Sequence, residues 1–151
     1  MSSVSIQAEP FDTAAEIARL EETLAGRAGA VVSFSGLCRD DAGRLTGLEL
    51  EHYPGMAQAE IGRVVEEARK RWPIQAARVI HRHGLVRPGE PIVLVVTASA
   101  HRRAAFEAAS FLMDYLKARA PFWKREHLAD GRLGAWVEAT EADARAAGNW
   151  A

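Results

Sequence analysis

The sequence lacks most features that mark special cellular environments. It has a single cysteine, Cys38, and so can form neither an internal disulfide nor a cysteine-rich zinc site. No stretch reaches the roughly 18 uninterrupted apolar residues that a membrane helix needs. The opening residues, MSSVSIQAEPFD, have neither the basic nor the apolar segment of a signal peptide. We therefore expect a cytoplasmic protein that does not bind membranes.

Net charge is also nearly absent. A formal charge of −1 argues against general nucleic-acid binding, which normally requires a clearly basic domain. A chain of 151 residues with 48% apolar side chains has the composition of an ordinary globular protein and can bury roughly two-thirds of its unfolded surface. Because neither a repeat nor a long linker divides the sequence, we expect a single domain over residues 1–151.

Hydrophobic periodicity predicts a mixture of helices and strands. The predicted helices cover 12–24, the segment from Pro54-Gly55 to about Trp72, and Arg102–Ala120. The predicted strands cover 30–37, 48–53, 77–83 and 92–96, the last of them central because it is apolar on both faces. The composition of 38–47 indicates a mobile loop, and the segments FWKREH and AWVEA predict a β hairpin across the turn ADGRLG.

Positive charge is concentrated around the last predicted helix and the segment that follows it. The basic side chains there are His101, Arg102, Arg103, Lys117, Arg119, Lys124 and Arg125. Such a cluster in a nearly neutral chain is a candidate anion site. Lys117 follows Met113 by one helical turn, and the break at Pro121 with the two aromatics after it restricts the direction of Lys124. Two lysines a short loop apart can converge on one anionic substrate, although either one alone is ordinarily a surface residue.

Other basic residues have two interpretations. His101 and Arg102 stand at the start of the long helix, where unsatisfied backbone N–H groups favour a phosphate. Equally, Ser99 could simply cap that helix and leave His101 an ordinary first-turn residue. Arg39, just past the end of a predicted strand, could contact a ligand or remain a solvated loop residue.

Neither the cysteine nor the histidines indicate a nucleophile or a metal site. Cys38 lies in no recognisable motif and is interpreted as a structural or bystander residue. His52, His81 and His83 have no metal-ligand spacing with carboxylates or cysteines, and are interpreted as packed or exposed strand residues. We predict neither a metal ion nor a bound cofactor.

Several long motifs together carry a family resemblance. They are LEHYPGM at 50–56, ARKRWP at 68–73, SAHRRAAFEA at 99–108, MDYLKARAPFWKRE at 113–126 and WVEA at 136–139. In this order and spacing they resemble the large, catalytic subunit of molybdopterin synthase, the MoaE family, over about residues 28–140. A set of long, ordered motifs is far more specific than any short pattern.

The resemblance implies a fold, a reaction and partners. The fold is α+β, an α/β hammerhead domain with an additional small antiparallel sheet. The subunit forms a homodimer that binds a small ubiquitin-like sulfur-carrier subunit at each end, giving a heterotetramer. The carrier ends in Gly-Gly with a thiocarboxylate, and its sulfur passes to cyclic pyranopterin monophosphate in two rounds, through a hemisulfurated intermediate. The product is the dithiolene of molybdopterin.

The resemblance also implies roles for particular residues. Lys117 and Lys124 correspond to the essential catalytic pair. Arg39, His101 and Arg102 would hold the phosphate and neighbouring oxygens of the substrate, while Phe34 and Met113 would line the pocket. These residue types suit the chemistry, because the thiocarboxylate sulfur is itself the nucleophile and the large subunit must only hold two anions together and move protons.

The C-terminal part departs from the family pattern. After WVEA the family often has an arginine that reaches the substrate across the dimer, whereas this chain has Thr140. Either Arg132, Arg145 or a neighbour replaces that arginine, or the phosphate is held with one fewer charge. The tail at about 141–151 has few packing signals apart from Trp150, and we expect it to be flexible until the small subunit binds.

Two rival functions are considered. One is a non-catalytic dimeric scaffold that receives the tail of the ubiquitin-like subunit, and the presence of Lys117 and Lys124 argues against it. The other is an acyl or phosphoryl transferase built on the same basic cluster. It lacks support because the sequence has no Walker-type glycine loop, nucleophile elbow or pair of metal-binding carboxylates.

Overall fold

The fold consists of two sheets and a set of helices that cover the larger sheet. The computed structural model describes residues 2–119, 121–137, 148 and 150. In chain order, the elements within these residues are β1 (Ser2–Gln7), α1 (Thr13–Thr23), β2 (Ala30–Leu37), β3 (Leu45–His52), α2 (Met56–Arg71), β4 (Ile74–Arg82), β5 (Gly84–Val86), β6 (Pro91–Ser99), α3 (Arg102–Ala118) and β7 (Phe122–Leu128).

The larger sheet has the strand order β1-β4-β6-β2. β1 runs parallel to β4, and the other two pairings are antiparallel. β6 is hydrogen-bonded on both edges, and all of its residues from Val93 to Ser99 are buried. The prediction of a central strand with two apolar faces is therefore confirmed.

The core lies on both faces of the larger sheet. Val93 and Val95 of β6 pack with the buried faces of α2 and α3. Leu94 and Val96, which point the opposite way because strand side chains alternate, pack with Leu20 and the rest of α1. The sheet is thus covered by α2 and α3 on one face and by α1 on the other.

The smaller sheet is antiparallel, with the strand order β5-β3-β7. Leu48 pairs with Val86 on one side, and Leu50 pairs with Lys124 on the other. The predicted hairpin of FWKREH with AWVEA is confirmed over its described residues, since Lys124 of β7 exchanges two backbone hydrogen bonds with Val137. The pairing of the other edge of β7 with β3 was not predicted. The segment after the turn makes only isolated bridges, at Leu133 and Val137, within the described residues.

The sequence predicted most elements near their observed positions. α1 begins as expected after Asp12, whose Oδ1 accepts a hydrogen bond from the Ala15 N–H at 3.0 Å. The predicted loop 38–47 is shorter in the structure, because β3 already begins at Leu45. The short strands β1 and β5 were not predicted. The α+β class with an additional small antiparallel sheet is confirmed.

Trp150 contacts the helical layer of its own chain. Its Nε1 donates a hydrogen bond to Asp114 Oδ2 at 2.6 Å, and its ring lies 5.5 Å from Trp72 and 5.8 Å from Phe111 between centroids. Most of the predicted flexible tail, with Thr140 and Arg145, falls outside the described residues. Within the described part of the chain, no helix is both long enough and apolar enough to span a bilayer.

Candidate functional site

A pocket of about 430 Å³ lies between the C-terminal end of α3 and the smaller sheet. The larger sheet contributes one side of it through β2, β4 and β6. Its lining residues are Phe34, Gly36, Leu37, Leu48, Leu50, His81, Ile92, Val93, Met113, Leu116, Lys117, Ala118, Arg119, Pro121, Phe122, Trp123, Lys124 and Val137. The pocket therefore brings together four predicted site residues, namely both lysines, Phe34 and Met113.

Lys124 lies in β7 with a backbone neighbour on each side of the strand. It pairs with Leu50 of β3 on one side. On the other, its N–H donates to the Val137 carbonyl at 3.0 Å, and its carbonyl accepts from the Val137 N–H at 2.8 Å. The strand thus cannot slide without breaking two sets of bonds, which holds the origin of the Lys124 side chain in place.

Lys117 approaches the pocket from the last turn of α3. A cation there is favoured because the helix dipole places partial negative charge at the C-terminal end. Met113, one turn earlier, supplies an apolar wall, and Phe34 faces the same space from β2 with 41% of its surface exposed. Lys117 and Lys124 therefore reach one pocket from two different elements.

The inner wall of the pocket was not predicted from the sequence. Leu50, Ile92 and Val93 form its apolar part, and His81 lines it from β4. The ring of His81 stacks on that of Phe122, with centroids 3.8 Å apart and planes inclined by 14°. No sequence signal distinguished His81 from His83, because the two share one face of a strand. His81 is buried and His83 half-buried.

The loop after β2 exposes Arg39, which is not among the residues that line the pocket, and buries Cys38. Arg39 is exposed and lies two residues beyond Leu37, which lines the pocket. Cys38 is buried against Val86, with Sγ 3.6 Å from the Val86 carbonyl oxygen. Burial raises the pKa of its thiol, and the nearby Glu90 charge acts in the same direction. Cys38 is therefore a protonated packing residue, as its lack of a motif predicted.

His101 and Arg102 lie at the opposite end of α3 from the pocket. They border an open groove with Arg103, Phe106 and Glu107. Fifteen residues separate Arg102 from Lys117 in one helix, which corresponds to about 22 Å along the helix axis. Within one chain, the structure therefore does not bring the predicted phosphate-binding pair to the lysines.

The start of α3 has no side-chain cap. His101 occupies the cap position without a side-chain hydrogen bond to the helix, and the Ser99 hydroxyl donates to the His101 carbonyl. The alternative in which Ser99 caps the helix is therefore wrong. His101, Arg102 and Arg103 are all exposed, so the positive end of the helix carries basic side chains that face solvent.

The remaining basic residues serve other purposes. Arg125 points to the far face of β7, where it donates to Glu49 at 2.7 Å and lies over the Trp136 ring. This hydrogen bond, with a second from His127, lowers the pKa of Glu49. Arg132 pairs with Asp130 in the turn after β7. The single anion site expected from sequence is thus divided into two regions, and Arg125 belongs to neither.

The pocket can bind an anionic molecule that also has apolar surface. Apolar side chains form its walls, and two lysines at its edge can neutralise negative charge and transfer protons. Among the residues that the structure describes, no group of three or more His, Cys, Asp or Glu side chains could hold a metal ion.

Comparisons with known proteins agree over almost the whole chain. The model of the MoaE protein family matches residues 6–119. The chain is 68% identical over 150 residues to the molybdopterin synthase catalytic subunit of Mesorhizobium japonicum, covering 98% of this chain and 92% of that protein.

Solved structures show the same similarity. The molybdopterin biosynthesis MoaE protein of Burkholderia ambifaria is 40% identical with a TM-score of 0.84, and the match covers 99% of this chain and 98% of that one. A molybdopterin synthase structure from Staphylococcus aureus is 30% identical with a TM-score of 0.78, covering 88% and 95%. The resemblance inferred from the motifs is confirmed.

Proposed function

The chain belongs to the MoaE protein family, and from that premise we propose that it acts as the catalytic subunit of a molybdopterin synthase. It transfers sulfur from the C-terminal thiocarboxylate of a small ubiquitin-like subunit to cyclic pyranopterin monophosphate, and so forms the dithiolene of molybdopterin. The observation that carries this proposal is the pocket in which Lys117 and Lys124 meet beside an apolar wall.

The chemistry of the pocket suits a sulfur donor that arrives from outside. A thiocarboxylate is already an anionic nucleophile, so the subunit needs no thiolate of its own. This agrees with Cys38, the single cysteine, being buried with a raised pKa. The task of the pocket is to hold two anions close together, and neighbouring lysines reduce the repulsion between them.

The two lysines have different roles in stabilising negative charge and transferring protons. Lys117, at the end of α3, either assists the attack of the tail sulfur on a substrate carbon or stabilises the acyl-linked intermediate. Lys124 protonates the oxygen that leaves the substrate. Water then cleaves the bond between the tail carbonyl and sulfur, which releases the tail as an ordinary carboxylate and leaves sulfur on the substrate. A second tail repeats the sequence at the neighbouring carbon.

The phosphate of the substrate is held by His101 and Arg102 of a second copy of the chain, together with Arg39. Since Arg102 and Lys117 of one copy are about 22 Å apart along α3, one substrate can contact both only if two copies contribute. The uncapped, basic start of α3 supports anion binding there. Phe34 and Met113 line the space between the lysines and the substrate ring.

The working assembly is a homodimer with one small ubiquitin-like subunit at each end. Each chain acts as one catalytic domain, and the reaction takes place in the cytoplasm without a bound cofactor. Because Thr140 replaces the arginine often found in the family, Arg132 or Arg145 supplies the cross-dimer charge, or the phosphate is held with one charge fewer.

The experiment that tests this function combines the purified protein, thiocarboxylated small subunit and cyclic pyranopterin monophosphate. Dithiolene product is measured after oxidation to its fluorescent pterin. Wild type should form product, and Lys117→Ala and Lys124→Ala should each lower turnover by at least about a hundredfold, the range for a proton-transfer group.

The chain offers a matched control in Lys70, its third lysine, which is exposed on α2 away from the pocket. Lys70→Ala should retain wild-type turnover. Binding of the small-subunit tail without any product from wild type would instead favour the non-catalytic scaffold. No binding of the tail at all would contradict both functions.

A further inference from the structure

The pocket contains a buried histidine to which neither the lysines' chemistry nor phosphate binding assigns a role. His81 leaves only 8% of its surface exposed and stands beneath the end of α3. Its ring is held parallel to the Phe122 ring at 3.8 Å, and Phe122 in turn stacks on His52 at 5.9 Å. The imidazole of His81 is therefore fixed in one orientation before any ligand arrives.

The hydrogen bonding of the ring determines its tautomer. Nδ1 lies 2.8 Å from the carbonyl oxygen of Arg82. A carbonyl can only accept, so Nδ1 must carry the proton. Burial, against the opposing effect of the hydrogen bond to Arg82 and with the positive charge of Lys117 acting in the same direction as burial, lowers the pKa of His81 to about 4. The ring is therefore neutral near pH 7, and Nε2 carries a lone pair.

Within the described residues, no protein group donates to that lone pair, and the one hydrogen bond of the His81 ring is that to Arg82. The pocket wall beside it consists mainly of apolar side chains, among them Leu50, Ile92 and Val93, and Lys117 is the charged side chain of the pocket that acts on the ring. An acceptor that lines a largely apolar pocket gains a hydrogen bond from a ligand that brings a donor.

We propose that His81 is a substrate-binding residue whose Nε2 accepts a hydrogen bond from an N–H group of the pterin ring. This inference rests on the proposed function, because it assigns a contact within the same pocket. A pterin is flat and carries N–H donors in the plane of its ring. The apolar walls can therefore contact its faces while His81 forms a hydrogen bond with one edge. His81 thereby favours a heterocycle with a donor at that position over one without.

Steady-state kinetics of two His81 variants test the proposal. His81→Phe keeps an aromatic ring against Phe122 but removes the acceptor, so the KM for the pterin substrate should rise roughly tenfold. The kcat should stay within about twofold, because the contact is made equally in ground and transition states. His81→Gln can place its amide oxygen near the position of Nε2 and should restore KM to within about threefold of wild type.

His52→Phe is the matched control. His52 belongs to the same aromatic stack but does not line the pocket, so its KM should equal that of wild type. An unchanged KM in His81→Phe would overturn the proposal. So would equal increases in His81→Phe and His81→Gln, since these would indicate loss of packing rather than of an acceptor. Thermal unfolding of each variant identifies any that fail to fold.

A measurement on the wild-type protein does not depend on whether a variant folds. In protein labelled with ¹⁵N-histidine, the His81 Nε2 resonance should lie at the position of an unprotonated nitrogen and move upfield when the substrate binds. A resonance that does not move at saturating substrate would show that Lys117 or water is its partner and would refute the contact. If wild type forms no dithiolene, the proposed function fails independently of this result.

Discussion

Gly29 allows two segments of backbone to approach each other immediately before β2. Its N–H donates to the Ser99 carbonyl at 3.0 Å, and a Cβ at this position would overlap the carbonyl oxygen of Ala100. Backbone cannot move aside as a flexible side chain can. We therefore expect Gly29→Ala to lower the free energy of unfolding by about 2 kcal/mol, measured by urea denaturation.

Gly62 provides the opposite case for the same substitution. It lies within α2, and a Cβ there would meet nothing within 4 Å. Because alanine favours a helix over glycine, Gly62→Ala should raise the free energy of unfolding by about 0.5–1 kcal/mol. If Gly29→Ala were as stable as wild type, the close approach to Ala100 would be wrong.

The residues of the site differ in how far sequence could identify them. Lys117, Lys124, Phe34 and Met113 were implied by the family resemblance, and the structure places all four around one pocket. His81 could not be found in that way. Its burial depends on which strands flank β4 and on the end of α3 lying above it, and neither is encoded in the local sequence.

At the scale of elements, an ion pair joins α1 to the larger sheet. Glu16 of α1 accepts from Arg78 of β4 at 2.9 Å and from Arg19 at 2.9 Å. Partial burial acts to raise the pKa of Glu16, but the hydrogen bond and charge of Arg78, with those of Arg19, lower it overall. The charged form of Glu16 therefore stabilises the folded state.

This pair should give a pH-dependent contribution to stability. A carboxyl whose pKa is lower in the folded state stabilises above its unfolded pKa, and that contribution is lost as the pH falls through the folded pKa. Glu16→Gln should therefore cost about 1 kcal/mol at pH 7, with the difference from wild type shrinking below about pH 4.5. Urea denaturation across this pH range measures the difference in the free energy of unfolding.

Glu21→Gln, on the exposed side of the same helix, is the control. A loss of stability in Glu16→Gln that does not depend on pH would contradict the ion pair.

Element prediction succeeded where a segment's own pattern determines its structure. The three helices have apolar periodicity and the central strand β6 has a continuous apolar run, and all four were predicted. β1 and β5 are short edge strands, whose existence depends on their neighbours β4 and β3. The pairing of β7 with β3 was missed for the same reason, because the predicted hairpin accounts for only one edge of β7. Local sequence does not indicate a second partner about 70 residues earlier in the chain.

At the scale of the whole molecule, the distance between the two basic regions requires a shared site. If a pocket uses Lys117 of one copy and Arg102 of the other, two inactive variants should complement each other in a mixed dimer. A dimer of Lys117→Ala with Arg102→Ala contains one doubly altered site and one intact site. Mixed dimers isolated with two affinity tags should therefore show about half of wild-type turnover.

A second pair of variants controls for exchange or contamination. Lys117→Ala and Lys124→Ala alter the same pocket of one copy, so their mixed dimer has no intact site and should stay inactive. Recovery in this pair, or no recovery in the first, would contradict a site built from two copies.

α3 connects these two regions, and this limits which changes in chain length the protein can tolerate. Removing one residue between Arg102 and Lys117 would shift one end by about 1.5 Å and turn it by about 100° relative to the other. Lys117 would then leave its pocket even though every side chain of the site was retained. The tip of the turn between β2 and β3, at residues 40–43, has no such constraint, since an added residue there displaces only exposed loop beyond Cys38 and Arg39. Insertions and deletions are therefore tolerated at that tip, while the number of residues in α3 is fixed by the two sites at its ends.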